Sequence, residues 1–354
     1  MNRCRRNSCF YILASHLKPP SLFLLLLIQI EIISHFLRLI LVEKMKKGSK
    51  DLALTFADKC KNIMASNWRG YLNTVKADAK GSKEDIHTSR IMYFLKRGKP
   101  YLCVPQDDLH NLNVVIDERG SMAVANPYPG PLANVLKSIG KLPTRVALTG
   151  DVLSLEEEKM RHVKEILRET IELEKKAFSA ASYAVTELLS SSRISSVSRT
   201  ENLRDVLSAG ENAYVVYKFD IRSCSYIDSA GTDHEVDLEE LELSKTDPLS
   251  MFSEKLIDGI NQNRARRSAL MLFFFEYLEI NAADAYMISA DRKGFDVLAK
   301  IPSDTTEHDL DVYTWKECRI DFKEEASDVG TFCRLLVEME SEALQNLRSR
   351  LQYS

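Results

Sequence analysis

Between residues 51 and 68 the apolar positions 52, 56, 60, 63 and 64 recur at helical spacing, which predicts a helix with one buried stripe. The period then falls to two. Residues 69–76 alternate as a strand, and a second strand at 91–95 runs through Arg97-Gly98-Lys99-Pro100 into a third at 101–104, a hairpin pattern. A short helix is expected at 111–117 and a strand at 121–125. Pro127, Pro129, Gly130 and Pro131 then mark a rigid loop. After a strand at 145–152, residues 155–189 read as one long helix that breaks in the serine-rich tract 190–198, which together with its flanks is a mobile connector by composition. Strand character returns at 214–227, a turn follows at 228–231, and His234-Glu235-Val236 is expected to pair back. The simplest topology has this late strand completing a barrel begun near residue 70, with the helix and serine tract as an insert.

Past Pro248 the pattern changes. Residues 253–261 and 267–278 read as helices, and Leu270, Leu272, Phe273, Phe274 and Phe275 make the second apolar nearly all round, as a buried helix or dimer contact requires. Residues 284–289 and 295–301 alternate about Asp291-Arg292-Lys293-Gly294, a turn with glycine expected at a left-handed position. A strand at 315–322 and a closing helix with Phe332, Leu335, Leu336 and Met339 on one face complete a small α+β module. The expected organisation is residues 1–44 as a hydrophobic extension, 45–244 as the barrel with its insert at about 154–210, and 245–354 as the module.

The extension stands apart. Residues 21–42 are largely apolar around Leu22-Phe23-Leu24-Leu25-Leu26-Leu27-Ile28, with Arg3, Arg5 and Arg6 ahead of them. That is nearly the length of a membrane span, but Glu31, His35 and Arg38 interrupt it and no small-residue cleavage site follows. Two readings stay open: a real leader or anchor, and a chain that effectively begins at Met45. Membrane attachment is expected only under the first.

Elsewhere the 45% apolar and 28% charged residues are a globular balance, and a net charge of −3 offers no general attraction to nucleic acid. The seven cysteines show no C-x-x-C spacing, so reduced thiols in a cytosolic, nuclear or plastid-stromal setting are expected, and no metal site. No P-loop, dinucleotide fingerprint or Ser-His-Asp arrangement is legible, and catalytic residues stay unassigned. Asp291 and Asp296 flank the turn glycine, where an aspartate usually bonds its own backbone. Arg264, Arg266 and Arg267 lack interleaved aromatics and read as a solvated helix face.

One stretch is more specific. Residues 145–153 read Arg-Val-Ala-Leu-Thr-Gly-Asp-Val-Leu, and upstream lies Asp108-Leu109-His110-Asn111-Leu112-Asn113 ahead of the apolar strand 121–125. That order resembles the FMN-binding split-barrel families, which include the pyridoxamine-phosphate oxidases. Downstream, Ile257-Asp258-Gly259-Ile260-Asn261 and the stretch Asp284-Ala285-Tyr286-Met287-Ile288-Ser289-Ala290-Asp291-Arg292-Lys293-Gly294-Phe295-Asp296 resemble the small domain of HugZ-type haem oxygenases and of plant relatives of the glutamyl-tRNA-reductase-binding protein.

The resemblance implies an α+β chain: a split β-barrel with a helical insert, followed by the small module. It implies a homodimer, in which an open barrel edge is covered. By position, His110, Asn113, Arg145 and Thr149 become the candidate cofactor-binding residues. FMN is the first expectation for the cofactor and haem the second. Where the haem-related family carries Asn-x-Asp-His, this chain reads Asn261-Gln262-Asn263-Arg264, and the lost imidazole disfavours haem-degrading chemistry there. The leading functional expectation is a flavin- or tetrapyrrole-binding or protein-interaction module with little catalysis. Its alternative is a flavin-dependent oxidoreductase of the pyridoxamine-phosphate-oxidase type.

Overall fold

The structure, a computed structural model, describes residues 54–352 apart from 79–80, 127, 129, 156, 180–182, 193–198, 209–212 and 304–312. The expected hydrophobic extension and most of the serine tract lie outside these residues. No helix among the described residues is long and apolar enough to cross a membrane.

The barrel half opens with helix α1 (Phe56–Ser66), capped by Thr55, whose hydroxyl accepts from the Asp58 N–H. Strands β1 (Arg69–Asp78), β2 (Gly81–Lys96) and β3 (Lys99–Pro105) follow, β2 and β3 as the expected hairpin. Then come α2 (His110–Ile116), β4 (Arg119–Ala125), α3 (Pro131–Ser138) and β5 (Arg145–Ser154). The insert holds α4 (Glu157–Ser179), α5 (Tyr183–Ser190) and α6 (Arg199–Ser208). Strands β6 (Tyr214–Ile227) and β7 (Asp233–Val236) and helix α7 (Leu238–Leu243) close this half.

All pairings are antiparallel, in the order β3-β2-β1-β4-β5-β6-β7. An additional β3–β6 pairing, Tyr101 opposite Lys218 through Pro105 opposite Tyr214, closes six strands into a barrel. The late strand therefore completes the barrel as its pattern predicted, and closure covers the edge on which the dimer expectation rested. The interior is filled by Met64, Leu72, Tyr93, Leu102, Met122, Leu148 and Phe219, all at most 1% exposed.

In the C-terminal module, α8 (Ser253–Gln262) and α9 (Arg264–Leu278) precede β8 (Asp284–Asp291), β9 (Gly294–Pro302) and β10 (Tyr313–Asp321), and α10 (Val329–Gln352) ends it. The strands form a sheet of order β10-β9-β8, whose β8 edge lies against α8 and α9. There Asn261, fully buried, donates from Nδ2 to the Met287 carbonyl and accepts the Met287 N–H, both at 2.8 Å. One side chain thus supplies the partner strand that the edge lacks. Asn263 caps α9 by accepting the Ala265 and Arg266 N–H groups. Both asparagines of the Asn261-Gln262-Asn263-Arg264 segment are structural.

Three local expectations change. The long helix of residues 155–189 is two helices, α4 and α5. Helix α3 was hidden behind the proline loop, and its Leu132 and Leu136 belong to the C-terminal core. The flank of the serine tract is not loose: Val185 and Leu188 of α5 enter that same core. Gly294 has the positive φ expected of a turn glycine, at 157. Glycine is needed there because a Cβ would stand 2.2 Å from the Ile320 carbonyl oxygen of the neighbouring strand.

Candidate functional site

Along β1 the even positions Leu72 and Thr74 face the barrel interior and the odd positions Tyr71, Asn73 and Val75 face outward, as the strand period requires. Register carries this alternation across the sheet, and two polar regions result on opposite faces of the same wall.

The inner region lies under α2. His110 is fully buried, and its Nδ1 stands 2.8 Å from Thr74 Oγ1. Asn113 Nδ2 donates to the same hydroxyl at 2.8 Å, while its Oδ1 accepts the Ala77 N–H. Asp108 begins the helix by accepting the His110 N–H on Oδ1, and it also accepts from His87 Nε2 at 3.1 Å and from Ser89 Oγ at 2.9 Å. His87, Ser89 and Thr74 reach this point together because β1 pairs with β2 at Thr74 opposite His87 and Leu72 opposite Ser89. One atom is left over: His110 Nε2 is buried without a hydrogen-bond partner. Burial pushes the His110 imidazole down to about 4, against the upward pull of Asp108, so it is neutral at physiological pH. Burial would raise the Asp108 carboxyl, yet the hydrogen bonds from His110, Ser89 and His87 hold it below its ordinary range.

The outer region is a row that crosses five strands in register: Thr88 of β2, Asn73 of β1, Ser121 of β4, Thr149 of β5 and Ser223 of β6. Thr88 Oγ1 donates to Asn73 Oδ1 at 2.7 Å, Asn73 Nδ2 donates to Ser121 Oγ at 3.1 Å, and the Thr149 and Ser223 hydroxyls meet at 2.5 Å. The adjacent row reads Arg90, Tyr71, Ala123, Ala147 and Ser225, a small-residue floor with a phenol and a guanidinium at one end. Arg145 begins β5 one further row along, opposite Ala125 and Ile227.

The four sequence candidates therefore form two pairs. His110 and Asn113 meet through Thr74 inside the wall, whereas Arg145 and Thr149 share the outer face of β5. His87, Ser89 and Asp108 were missed. The strand reading began at residue 91 and so left His87 and Ser89 in an unassigned stretch, although Asp108 and His110 already stood two apart in sequence.

A separate cavity of about 330 Å³ lies between barrel and module, with Lys59, Tyr128, Tyr226, Asp291, Cys318 and Arg319 among its lining residues. Asp291 accepts from its own turn at the Lys293 N–H and forms a two-point ion pair with Arg319, at 2.5 and 2.8 Å. Burial opposes the Arg319 charge, but Asp291, Asp296 and Asp321 outweigh it and hold the guanidinium more firmly protonated. The Arg266 and Arg267 guanidiniums are turned into the fold, onto the Gly259 and Asn261 carbonyls.

No protein-family model matches the chain, and no curated protein matches it in sequence. Among solved structures the fold is similar to that of a haem-binding protein from Mycobacterium smegmatis, with a TM-score of 0.50 at 18% identity over 83% of this chain and 99% of that one. Protein Atu2129 of Agrobacterium tumefaciens, of unknown function, matches 80% of this chain and 94% of its own at 14% identity and a TM-score of 0.34. A putative pyridoxamine 5'-phosphate oxidase from Listeria innocua matches 49% of this chain and 100% of its own at 13% identity and a TM-score of 0.29. Closed six-strand barrel, helical insert and α+β module together define a split-barrel protein.

Proposed function

We propose that this protein is a cofactor-binding split-barrel module that takes a flavin mononucleotide on the outer face of its barrel and performs little chemistry of its own. The observation that carries the reading is the in-register row Thr88, Asn73, Ser121, Thr149 and Ser223 beside the floor of Ala123 and Ala147. Small side chains let a planar ring lie close to the strands. Hydroxyls and an amide both donate and accept, as the polar edge of a flavin and its ribityl chain require. Arg90 and Arg145 stand at the margins of that floor and are the guanidiniums available to a phosphate. The donor set fits the cofactor. Neither of these two rows offers an imidazole, a thiol or a carboxylate, so any redox chemistry would be the flavin's own.

A haem reading draws support from the similarity to the mycobacterial haem-binding protein, which extends over both halves of the fold. The cavity between those halves does not fit haem well. Its described lining holds no histidine or methionine, and burial raises Tyr128, Tyr226 and Cys318, which keeps them from the phenolate and thiolate forms that ligate iron.

The test is titration of the purified protein with FMN and, separately, with haemin, followed by absorption and flavin fluorescence. Saturable flavin binding is expected, weakened about tenfold when Thr149 and Ser223 are both changed to alanine. A haem Soret band with no flavin response would replace the flavin reading with the haem one. Silence toward both would leave a barrel kept for its surface alone.

A further inference from the structure

We propose that His87, Asp108 and His110 form a binding site for one divalent transition-metal ion of the zinc class, on the inner face of the barrel wall. One ligand atom from each lies within 4.8 Å of the others, and His87 and His110 bring their rings to 4.5 Å between centroids. The decisive atom is His110 Nε2. It is buried, it has no hydrogen-bond partner, and the other ring nitrogen is already engaged by Thr74. A buried ring nitrogen without a partner is a standing cost, which a coordinated cation would remove. A water could fill such a place in an ordinary structural histidine. Here, however, the orphan nitrogen has a second imidazole and a carboxylate as neighbours, which together make a donor set.

The surroundings match what a metal site needs. Thr74 Oγ1 can accept a proton held on His110 Nδ1 and so leave Nε2 free to ligate, and Asn113 fixes that hydroxyl in turn. Ser89 holds the far oxygen of Asp108, while Oδ1 faces His87 Nε2 at 3.1 Å; a bound cation would replace the proton now shared there, and Oδ1 would keep its contact with the His110 N–H. Access comes from the side of His87 and Asp108, whose side chains are 21% and 15% exposed. Two imidazoles and one carboxylate select zinc, ferrous iron or nickel over magnesium and calcium, which prefer all-oxygen shells. Three protein ligands leave a coordination position open to water or to another group. The site lies across the wall from the proposed flavin surface, and its test does not involve flavin.

The experiment uses the full chain without an affinity tag, stripped by a chelator and titrated calorimetrically with zinc chloride, with cobalt(II) absorption as a second readout. The expected result is one zinc ion per chain and cobalt d–d bands of a low-coordinate site. His87→Gln and Asp108→Asn should each weaken binding at least about tenfold, and Thr74→Val, which removes the hydroxyl behind His110, should weaken it about tenfold as well. His234→Gln should leave binding unchanged, because that imidazole belongs to a distant pair with Asp228. Circular dichroism checks that each variant is folded. Absence of saturable zinc binding by the wild-type chain overturns the proposal, as does undiminished binding in His87→Gln. Should Asp108→Asn not fold, the cobalt spectrum of the wild type against His87→Gln decides.

Discussion

At Gly150 the backbone leaves no room for a side chain. The β5–β6 register shifts between Thr149 and Gly150, and a Cβ at 150 would stand 2.1 Å from the Asp220 carbonyl oxygen. That oxygen is backbone, so nothing can swing aside and the two strands would have to separate. Gly150→Ala is expected to cost about 1–3 kcal/mol, read as a lower midpoint in urea with little change of slope. A second residue sets a pH dependence. Asp328 accepts the Thr331 N–H at 2.8 Å where α10 begins, and that bond with its neighbours holds the carboxyl below the ordinary aspartate range. A carboxylate depressed in the folded state stabilises above its unfolded value, near 3.9, and loses that contribution as pH falls through the folded value. Asp328→Ala should therefore cost about 1 kcal/mol at pH 7, and the gap from wild type should close only below about pH 4. A gap that closed at neutral pH would contradict the capping role.

At the scale of elements, α2 has its polarity reversed. Its buried residues are His110 and Asn113, while Leu112, Val115 and Ile116, with Leu109 just ahead of the helix, are each at least half exposed. A lone helix of a monomer turns the other way. We propose that a second copy of the chain, presenting the same patch about a twofold axis, covers this exposed apolar side. Val115→Glu and Leu112→Glu are expected to turn a dimer into a monomer by light scattering with the circular dichroism unchanged. An unchanged mass would remove the patch as the dimer contact. The same helix shows where sequence legibility ends. Elements whose apolar residues face a core were readable from their period, as with α1, β6 and α10. Helix α2 was placed correctly, but periodicity alone cannot say that its polar side is the buried one. Helix α3 stayed hidden because prolines precede it, although its Pro131 sits in the first turn, where no N–H is needed. Of the candidate site, the two residues on α2 and the two on β5 came from the family resemblance, which assigns positions and not faces. Their separation onto opposite faces follows from register, which only the folded pairing reveals.

For the molecule as a whole, the boundary near residue 244 separates two sequence patterns and two cores, but the module's core is built partly from the barrel half. Leu132 and Leu136 of α3 and Val185 and Leu188 of α5 come from the barrel half, yet they are buried with Leu256, Phe273, Phe295 and Phe332 of the module. Polar ties run the same way. Asn62 of α1 accepts the Asp247 N–H, and the Asp247 carboxylate accepts the Arg292 N–H in the β8–β9 turn. Lys141, just after α3, pairs with Glu317 of β10. A module cut away at 245 would expose that apolar surface, and the remaining barrel would expose α3 and α5. The two halves should therefore unfold together. The chain carries one reporter in each, Trp68 ahead of β1 and Trp315 in β10, as its only two tryptophans. Trp68→Phe and Trp315→Phe variants, followed by fluorescence in urea, should each give one transition, at midpoints that agree once each substitution's own cost is subtracted. The core argument also sets the sign of a further change: Leu188→Ala, in the insert, should move both reporters together by about 2–5 kcal/mol. If Trp315 alone moved while Trp68 held its midpoint, the shared core would not couple the halves, and barrel and module would be independent domains.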